Sequence, residues 1–436
     1  MGVDIYLSAH CPDAQQEFTT EITEFFTGLE SAIPQPEVKV NYYEDGFEVI
    51  PFFAADPVVF QFDENTMRVS ARTSNAGPGY HAYVVSLLKK LEQQTQVIWA
   101  EDGEDDESGD ESGYWQSGDF TDIQGSMAGW LHSLGSMIVE RFSTSSDTED
   151  LALGMPIDFL PTDSNSFAVY PLGRLELDFF KGMLSTDDIV PYCQKFFLWW
   201  NEGLDAHFYK NYGLYLMWNH INWLPPVEDD EYTHYGNAMH CFDTARKLDP
   251  QIELPLAEWY QMAALAEHDD MLAMLEKEYA GIKDLTPTLG HLRGSMTNMV
   301  GGAWNITTPG TMHREIDNNT IVMWDDDLTI RISNIRVNTK SGEPVPAAQL
   351  LGNVTEDYDA KPFSLPDQDK VMCQIVNSTV QEKGKDPYFE TTLFAAVPGV
   401  ILILSCYYDE EKNREHAMPV INSVKNTEFS NERYEE

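Results

Sequence analysis

The sequence predicts a multi-domain α+β fold: an N-terminal antiparallel sheet with helices, a central helical domain, and a C-terminal curved antiparallel sheet with helices. Three observations predict it. Near both ends of the chain, hydrophobic residues alternate singly, the period of half-buried strands. Between residues 119 and 283 the period lengthens to that of amphipathic helices. Finally, 436 residues exceed the about 250–300 at which one core stops growing. The expected division is 1–115, 116–284 and 285–436.

Taken in order, Phe18, Ile22, Phe25, Phe26 and Leu29 fall on one helical face. Val38, Val40 and Tyr42 then alternate, as do Phe47 and Val49 beyond the Asp45-Gly46 turn signal. Val58, Phe60 and Phe62 alternate again, followed by Met67, Val69 and Ala71. These strands form a meander against the helix. Gly77-Pro78-Gly79 breaks the pattern, Val84 to Leu91 reads as a second helix, and Val97-Ile98-Trp99 as a short strand. Ile123, Met127, Trp130, Leu131, Leu134, Met137, Ile138 and Phe142 trace a long amphipathic helix. A strand-like piece follows at Phe167–Tyr170. Helices continue to about Lys283, with an aromatic-rich block from Phe196 to Trp223 that reads as core. In the last segment Ile321 and Met323 alternate, then Leu328, Ile330 and Ile332, then Val371, Cys373 and Ile375. The uncharged run Thr391–Tyr408 is interrupted by Pro398-Gly399, so it reads as two buried strands around a turn rather than a membrane span, which needs about 20 unbroken apolar residues. Val420, Ile421 and Val424 suggest a closing helix.

Charge narrows the function. The chain carries 27 Lys+Arg against 72 Asp+Glu, a net charge of −45. Nucleic acid and anionic membranes need a basic face and are excluded as direct partners. Residues 101–111 read EDGEDDESGDE, without a basic residue. Such a run repels itself and should be exposed, so Glu101, Asp102, Glu104, Asp105, Asp106, Glu107, Asp110 and Glu111 are the candidate docking residues for a basic protein partner. No register of the run supplies the Gly and Glu of an EF-hand loop. Asp325-Asp326-Asp327, between two strand patterns, reads as a turn. The five cysteines are scattered and odd in number, which favours reduced thiols in a cytoplasmic setting. The N-terminus shows no secretion signal.

Sites for catalysis or cofactors are not apparent. There is no nucleophile elbow, no phosphate-cradling glycine motif and no cofactor signature. His207, His220, His234, His240 and His268 gather in the helical segment, but none are spaced four apart as on a zinc-binding helix, so no metal ligands are assigned. A metal-dependent enzyme built on these histidines remains an alternative reading.

Two resemblances are partial. Ala238, Phe242, Ala245 and Pro250 match the spacing of the second helix of a tetratricopeptide repeat, over about one half-repeat. That resemblance implies a helical scaffold or adaptor binding a peptide or protein. Thr392–Ala396, Val400–Tyr407 and His416–Val424 resemble, in order and length, the end of PsbP/Mog1-type α/β domains, which implies a binding or accessory role; Pro419 departs from that pattern. The overall character is similar to acidic bacterial immunity proteins. The expectation is therefore a non-enzymatic binding protein that neutralises a basic toxin or effector by occluding its active site, guided by a long-range negative field.

Overall fold

A computed structural model describes residues 3–10, 15–29, 33–63, 65–100, 109–144, 151–152, 160–161, 168–170, 172–381 and 386–427. The chain is α+β, with helices interspersed among several antiparallel sheets. It divides into two compact units. The first comprises Met1–Gly154, Asn165–Ile221 and Pro225–Gly290; the second comprises Met155–Ser164, Asn222–Leu224 and His291–Glu436. The expected boundary at 115/116 lies inside the first unit, and that at 284/285 lies shortly before the long segment of the second.

The first unit begins β1 (Asp4–His10), α1 (Gln15–Thr27), β2 (Lys39–Tyr42), β3 (Gly46–Ile50), β4 (Val58–Asp63) and β5 (Thr66–Arg72). The expected meander β2-β3-β4-β5 is present, but β1 extends it beside β5, and a further short strand, β6 (Gly109–Asp110), pairs with β1. Single alternation explains the sheet's inner face: Phe47, Val49, Val58, Phe60, Met67 and Val69 are all buried. Phe47 stacks on Phe60 at 4.8 Å, and Phe26 of α1 meets Phe60 edge-on at 5.9 Å. No regular strand forms at Val97–Trp99; only an isolated bridge joins Trp99 to Ala9.

Helix α2 (Pro78–Gln94) opens with proline, whose fixed φ suits the first turn, after Gly77 at φ 113°. Gly79 leaves no room for a side chain, since a Cβ there would lie 2.0 Å from Cδ1 of Trp199. After α3 (Tyr114–Ser117) runs α4 (Phe120–Thr144), which buries Ile123, Met127, Leu131 and Ile138 on one face. Met137, expected on that face, is 48% exposed, because it steps off the four-residue stride of the others. Three short strands follow, β7 (Leu151–Ala152), β8 (Leu160–Pro161) and β9 (Ala168–Tyr170), then β10 (Gly173–Leu175). β7, β9 and β10 form a small sheet, while β8 belongs to the second unit.

Helices α5 (Leu177–Leu184), α6 (Val190–Phe196), α7 (Ala206–His220), α8 (Asp229–Leu248), α9 (Leu256–Leu265) and α10 (Asp269–Glu278) complete the first unit. The aromatic block is core, as expected: Trp199, Phe208, Tyr212 and Phe52 are buried in mutual ring contact. Ala238, Phe242 and Ala245 face inward on α8, and Gly213 of α7 admits the Phe242 ring, which a Cβ would meet at 2.7 Å. A capping box closes the start of α8, with Glu228 and Glu231 each accepting a backbone N–H.

The second unit contains β11 (Ser295–Val300), β12 (Trp304–Pro309), β13 (His313–Asp317), β14 (Thr320–Trp324), β15 (Thr329–Arg336), α11 (Ala347–Thr355), β16 (Lys361–Phe363), β17 (Met372–Val380), β18 (Tyr388–Val397), β19 (Val400–Tyr408), α12 (Arg414–Asn422) and β20 (Lys425–Asn426). One sheet has the order β20-β12-β11-β8, and a seven-stranded sheet the order β13-β14-β15-β19-β18-β17-β16. The uncharged run is indeed the hairpin β18–β19, turning at Pro398-Gly399 with Gly399 at φ 78°. Its continuous hydrophobicity has a physical cause. Leu393, Ala395, Leu402 and Leu404 pack with Ile330, Ala417 and Ile421 on one face. Phe394, Ala396 and Ile401 pack with Leu350 and Leu351 of α11 on the other. The closing helix α12 tolerates Pro419, and Val424 lies just beyond its end.

Candidate functional site

A pocket of about 460 Å³ opens in the second unit, at the end of the seven-stranded sheet where the β14–β15 turn, the start of β18 and the end of β19 converge. Register brings its walls together. Thr329 pairs with Tyr407, and Glu390, two residues beyond Tyr388, also pairs with Tyr407. Residues two apart share a face, so Thr329, Arg331, Tyr388 and Tyr407 lie on the face opposite the buried Ile330 and Cys406. Tyr388 and Tyr407 meet edge-on at 6.1 Å. Tyr408 stacks on Phe389 and shares a 2.9 Å hydrogen bond with Thr391.

The rim is anionic. Asp325, Asp326, Asp327 and Asp409 line the pocket, with Arg331 as the cationic member of the lining. The turn is built by Asp325, whose Oδ1 accepts from the backbone N–H of both Asp327 and Leu328 at 2.9 Å. Asn413 Nδ2 donates to Asp327 Oδ1 at 3.2 Å, which tethers the turn to the start of α12. Arg331 Nη2 is drawn to Asp317 Oδ2 at 3.2 Å. Burial, followed by the charge of Glu390, raises the Tyr407 hydroxyl above the ordinary tyrosine range, against a hydrogen bond to Ser405 and the charge of Arg331; the ring is a neutral wall at physiological pH. A pocket lined by carboxylates and phenol rings suits a guanidinium or ammonium group, which gains ion pairing from the carboxylates and cation–π contact from the rings.

The residues expected to dock a partner are those of the acidic run at 101–111. Glu101, Asp102, Glu104, Asp105, Asp106 and Glu107 fall outside the described residues. Glu111 is exposed, and its Oε2 accepts from the backbone N–H of Asp4 at 3.0 Å. Asp110 corrects the expectation of an exposed docking carboxylate. β6 pairs Asp110 with Ile5, a fully buried residue of β1, and directly paired residues share a sheet face. Asp110 therefore points inward, where its Oδ1 lies 3.0 Å from Nε2 of buried His81 on α2. It also accepts from Ser112 Oγ at 2.7 Å and from the backbone N–H of Ser112 and Trp115. Burial alone would raise the Asp110 carboxyl; the hydrogen bond and charge of His81, with the Ser112 bonds, carry it down to about 2. On the far side of the ring, Thr73 Oγ1 lies 2.8 Å from Nδ1 and donates its own proton to Val3 O. The His81 ring is thus held between a carboxylate on one side and a hydroxyl on the other. Ser112 also approaches His81 Nε2, at 3.2 Å, but its proton goes to Asp110, so the trio lacks the relay of a nucleophilic triad.

The central histidines do not converge as ligands. His240 is exposed, and His268 Nδ1 accepts from Met271 N at the start of α10. His220 and His234 alone of this group stack on each other. Among the described residues, no group of three or more His, Cys, Asp and Glu is placed to hold a metal ion. Cys193, Cys241, Cys373 and Cys406 are buried and free; burial pushes Cys193, Cys373 and Cys406 up to about 12, where the thiol is unreactive. No helix among the described residues is long and apolar enough to cross a membrane.

No sequence signal marked the pocket: its turn was legible, but the tyrosines facing it are brought there by strand register. Comparison with known proteins adds little. No family model matches the chain, and no curated protein matches it. A crystal structure from Bacteroides thetaiotaomicron VPI-5482, at 1.50 Å resolution, aligns with 14% identity over 28% of this chain and a TM-score of 0.24. The chain spans 44% of that protein's length, and a likeness this low carries no functional argument.

Proposed function

We propose that this protein is a non-enzymatic acidic binding protein that captures a basic protein partner, with the pocket at Asp325–Asp327 and Asp409 receiving an arginine or lysine side chain. The observation that carries the reading is the pairing of a carboxylate rim with tyrosine walls in a chain of net charge −45. Such a chain attracts cationic partners at long range, and a pocket of this chemistry fixes one side chain at short range. The biological role that best uses both is that of a cytoplasmic bacterial immunity-type inhibitor, which covers the active cleft of a basic toxin or effector.

Calorimetric titration with an arginine-rich peptide tests the pocket. The wild-type protein should bind it, and a variant carrying Asp326→Asn, Asp327→Asn and Asp409→Asn should bind roughly tenfold or more weakly, since each exposed ion pair is worth up to about 1 kcal/mol. Equal affinity for both proteins would remove the pocket from the account.

A further inference from the structure

The first unit holds a pair of imidazoles with no part in the pocket. His220 closes α7, and His234 lies in the second turn of α8. Their rings stack with centroids 4.7 Å apart and planes 24° apart. Phe53, in the loop between β3 and β4, lies 4.9 Å from the His220 ring and 5.4 Å from that of His234. Tyr215 of α7 packs against His220 at 5.5 Å. Nε2 of His220 and Nδ1 of His234 are buried with no hydrogen-bond partner. A neutral imidazole tolerates such a site at modest cost, whereas an imidazolium needs solvent or an anion at both nitrogens.

We propose that the stacked His220–His234 pair is a proton-sensitive latch, which holds the β3–β4 loop against the adjoining ends of α7 and α8 at neutral pH and releases it on acidification. The surroundings oppose a charge on His220 from each side. Burial, then the charge of His234, then that of Lys39 on β2 hold it down to about 3. Burial also lowers His234; Asp230 and Glu231 of α8 pull the other way, and Lys39 adds to the lowering. Tyr215 supplies no counter-charge, since burial and the charge of Asp56 push its hydroxyl up to about 12. The C-terminal end of α7 favours a cation, but only by a fraction of what burial costs. An unfolded or opened histidine titrates near 6.5. The latch is therefore fully stable above about pH 6.5 and loses stability as pH falls from there toward the folded value near 3. Each proton taken up on opening raises the opening constant about tenfold per pH unit.

Amide hydrogen exchange on the full chain, expressed as protection factors at pH 7 and pH 5, tests this. Protection around residues 51–55, 216–221 and 230–235 should fall about tenfold or more, while that of β18 and β19 holds. In a His220→Phe, His234→Phe double variant, which keeps the ring stack without the titration, the same segments should show no fall. Should that variant not fold, the imidazole carbon resonances of the wild-type protein decide the matter. Both rings neutral at pH 6, with ionisation only as protection is lost, is the expected result. Unchanged wild-type protection, an equal fall in the double variant, or both rings titrating near 6.5 with protection intact would each overturn the proposal.

Discussion

Asp110, near the end of the acidic run at 101–111, and the Asp325–Asp327 turn give the same signal in sequence: clustered carboxylates without a basic residue among them. In the structure they do opposite work. Asp110 is drawn inward by its pairing with Ile5 and ends in a buried contact with His81, 3.0 Å from its Nε2. The Asp325–Asp327 turn stays at a sheet end and faces solvent across a tyrosine-walled pocket. Local charge density is the same kind of signal in both places, and what separates them is that Asp110 pairs within a sheet while Asp325–Asp327 form a turn at a sheet end. A buried carboxylate specifies one arrangement of its own chain, while an exposed one over aromatic rings can serve a second molecule.

The contrast breaks most visibly at Asp110. Asp110→Ala leaves His81 Nε2, the Ser112 hydroxyl and the Trp115 amide without their carboxylate partner and should cost about 3–5 kcal/mol in urea unfolding, since each buried polar group left unsatisfied costs about 1–3 kcal/mol. A His81→Leu, Asp110→Leu double variant should recover part of that loss, which separates the stranded imidazole from the lost packing. The same pair also gives an acid signature. The Asp110 carboxyl is held down to about 2, so its contribution is complete above the unfolded value near 3.9 and is lost as pH falls through about 2. Next in size is Gly79→Ala, whose methyl would strike the Trp199 indole; a cost of about 1–3 kcal/mol in thermal unfolding is expected. Smallest in stability, and therefore most telling, is Asp326→Asn with Asp409→Asn. Unfolding should change by less than about 0.5 kcal/mol, while binding of a basic peptide weakens roughly fivefold per carboxylate.

Much of the fold was legible because burial leaves a period. The meander from β2 to β5, the helix α4 and the hairpin β18–β19 all follow from residue spacing. What escaped was set by contacts distant in sequence. Nothing local shows that β1 pairs with β5, or that β6 forms at all, because Gly109-Asp110 has no apolar alternation. Met137 read as buried because it is apolar near the right spacing, yet it sits at the edge of the buried stripe of α4. The hairpin β11–β12 was missed because polar residues fill inward positions that alternation reserves for apolar ones: buried Asn298 donates to buried Thr308 at 2.9 Å. The candidate site was half legible: the turn at Asp325 could be read, but Tyr388 and Tyr407 meet it only through the pairing of β15, β19 and β18.

Salt dependence tests the central claim most directly. The affinity of an arginine-rich peptide, measured by titration calorimetry at about 50 mM and about 300 mM salt, should fall at least tenfold for the wild-type protein, because exposed ion pairs are screened over that range. The same titration of the Asp326→Asn, Asp409→Asn variant should show a weaker complex with a shallower salt response. A wild-type affinity that stays constant across that range, or a variant that binds as tightly as the wild type at both salts, would contradict the account.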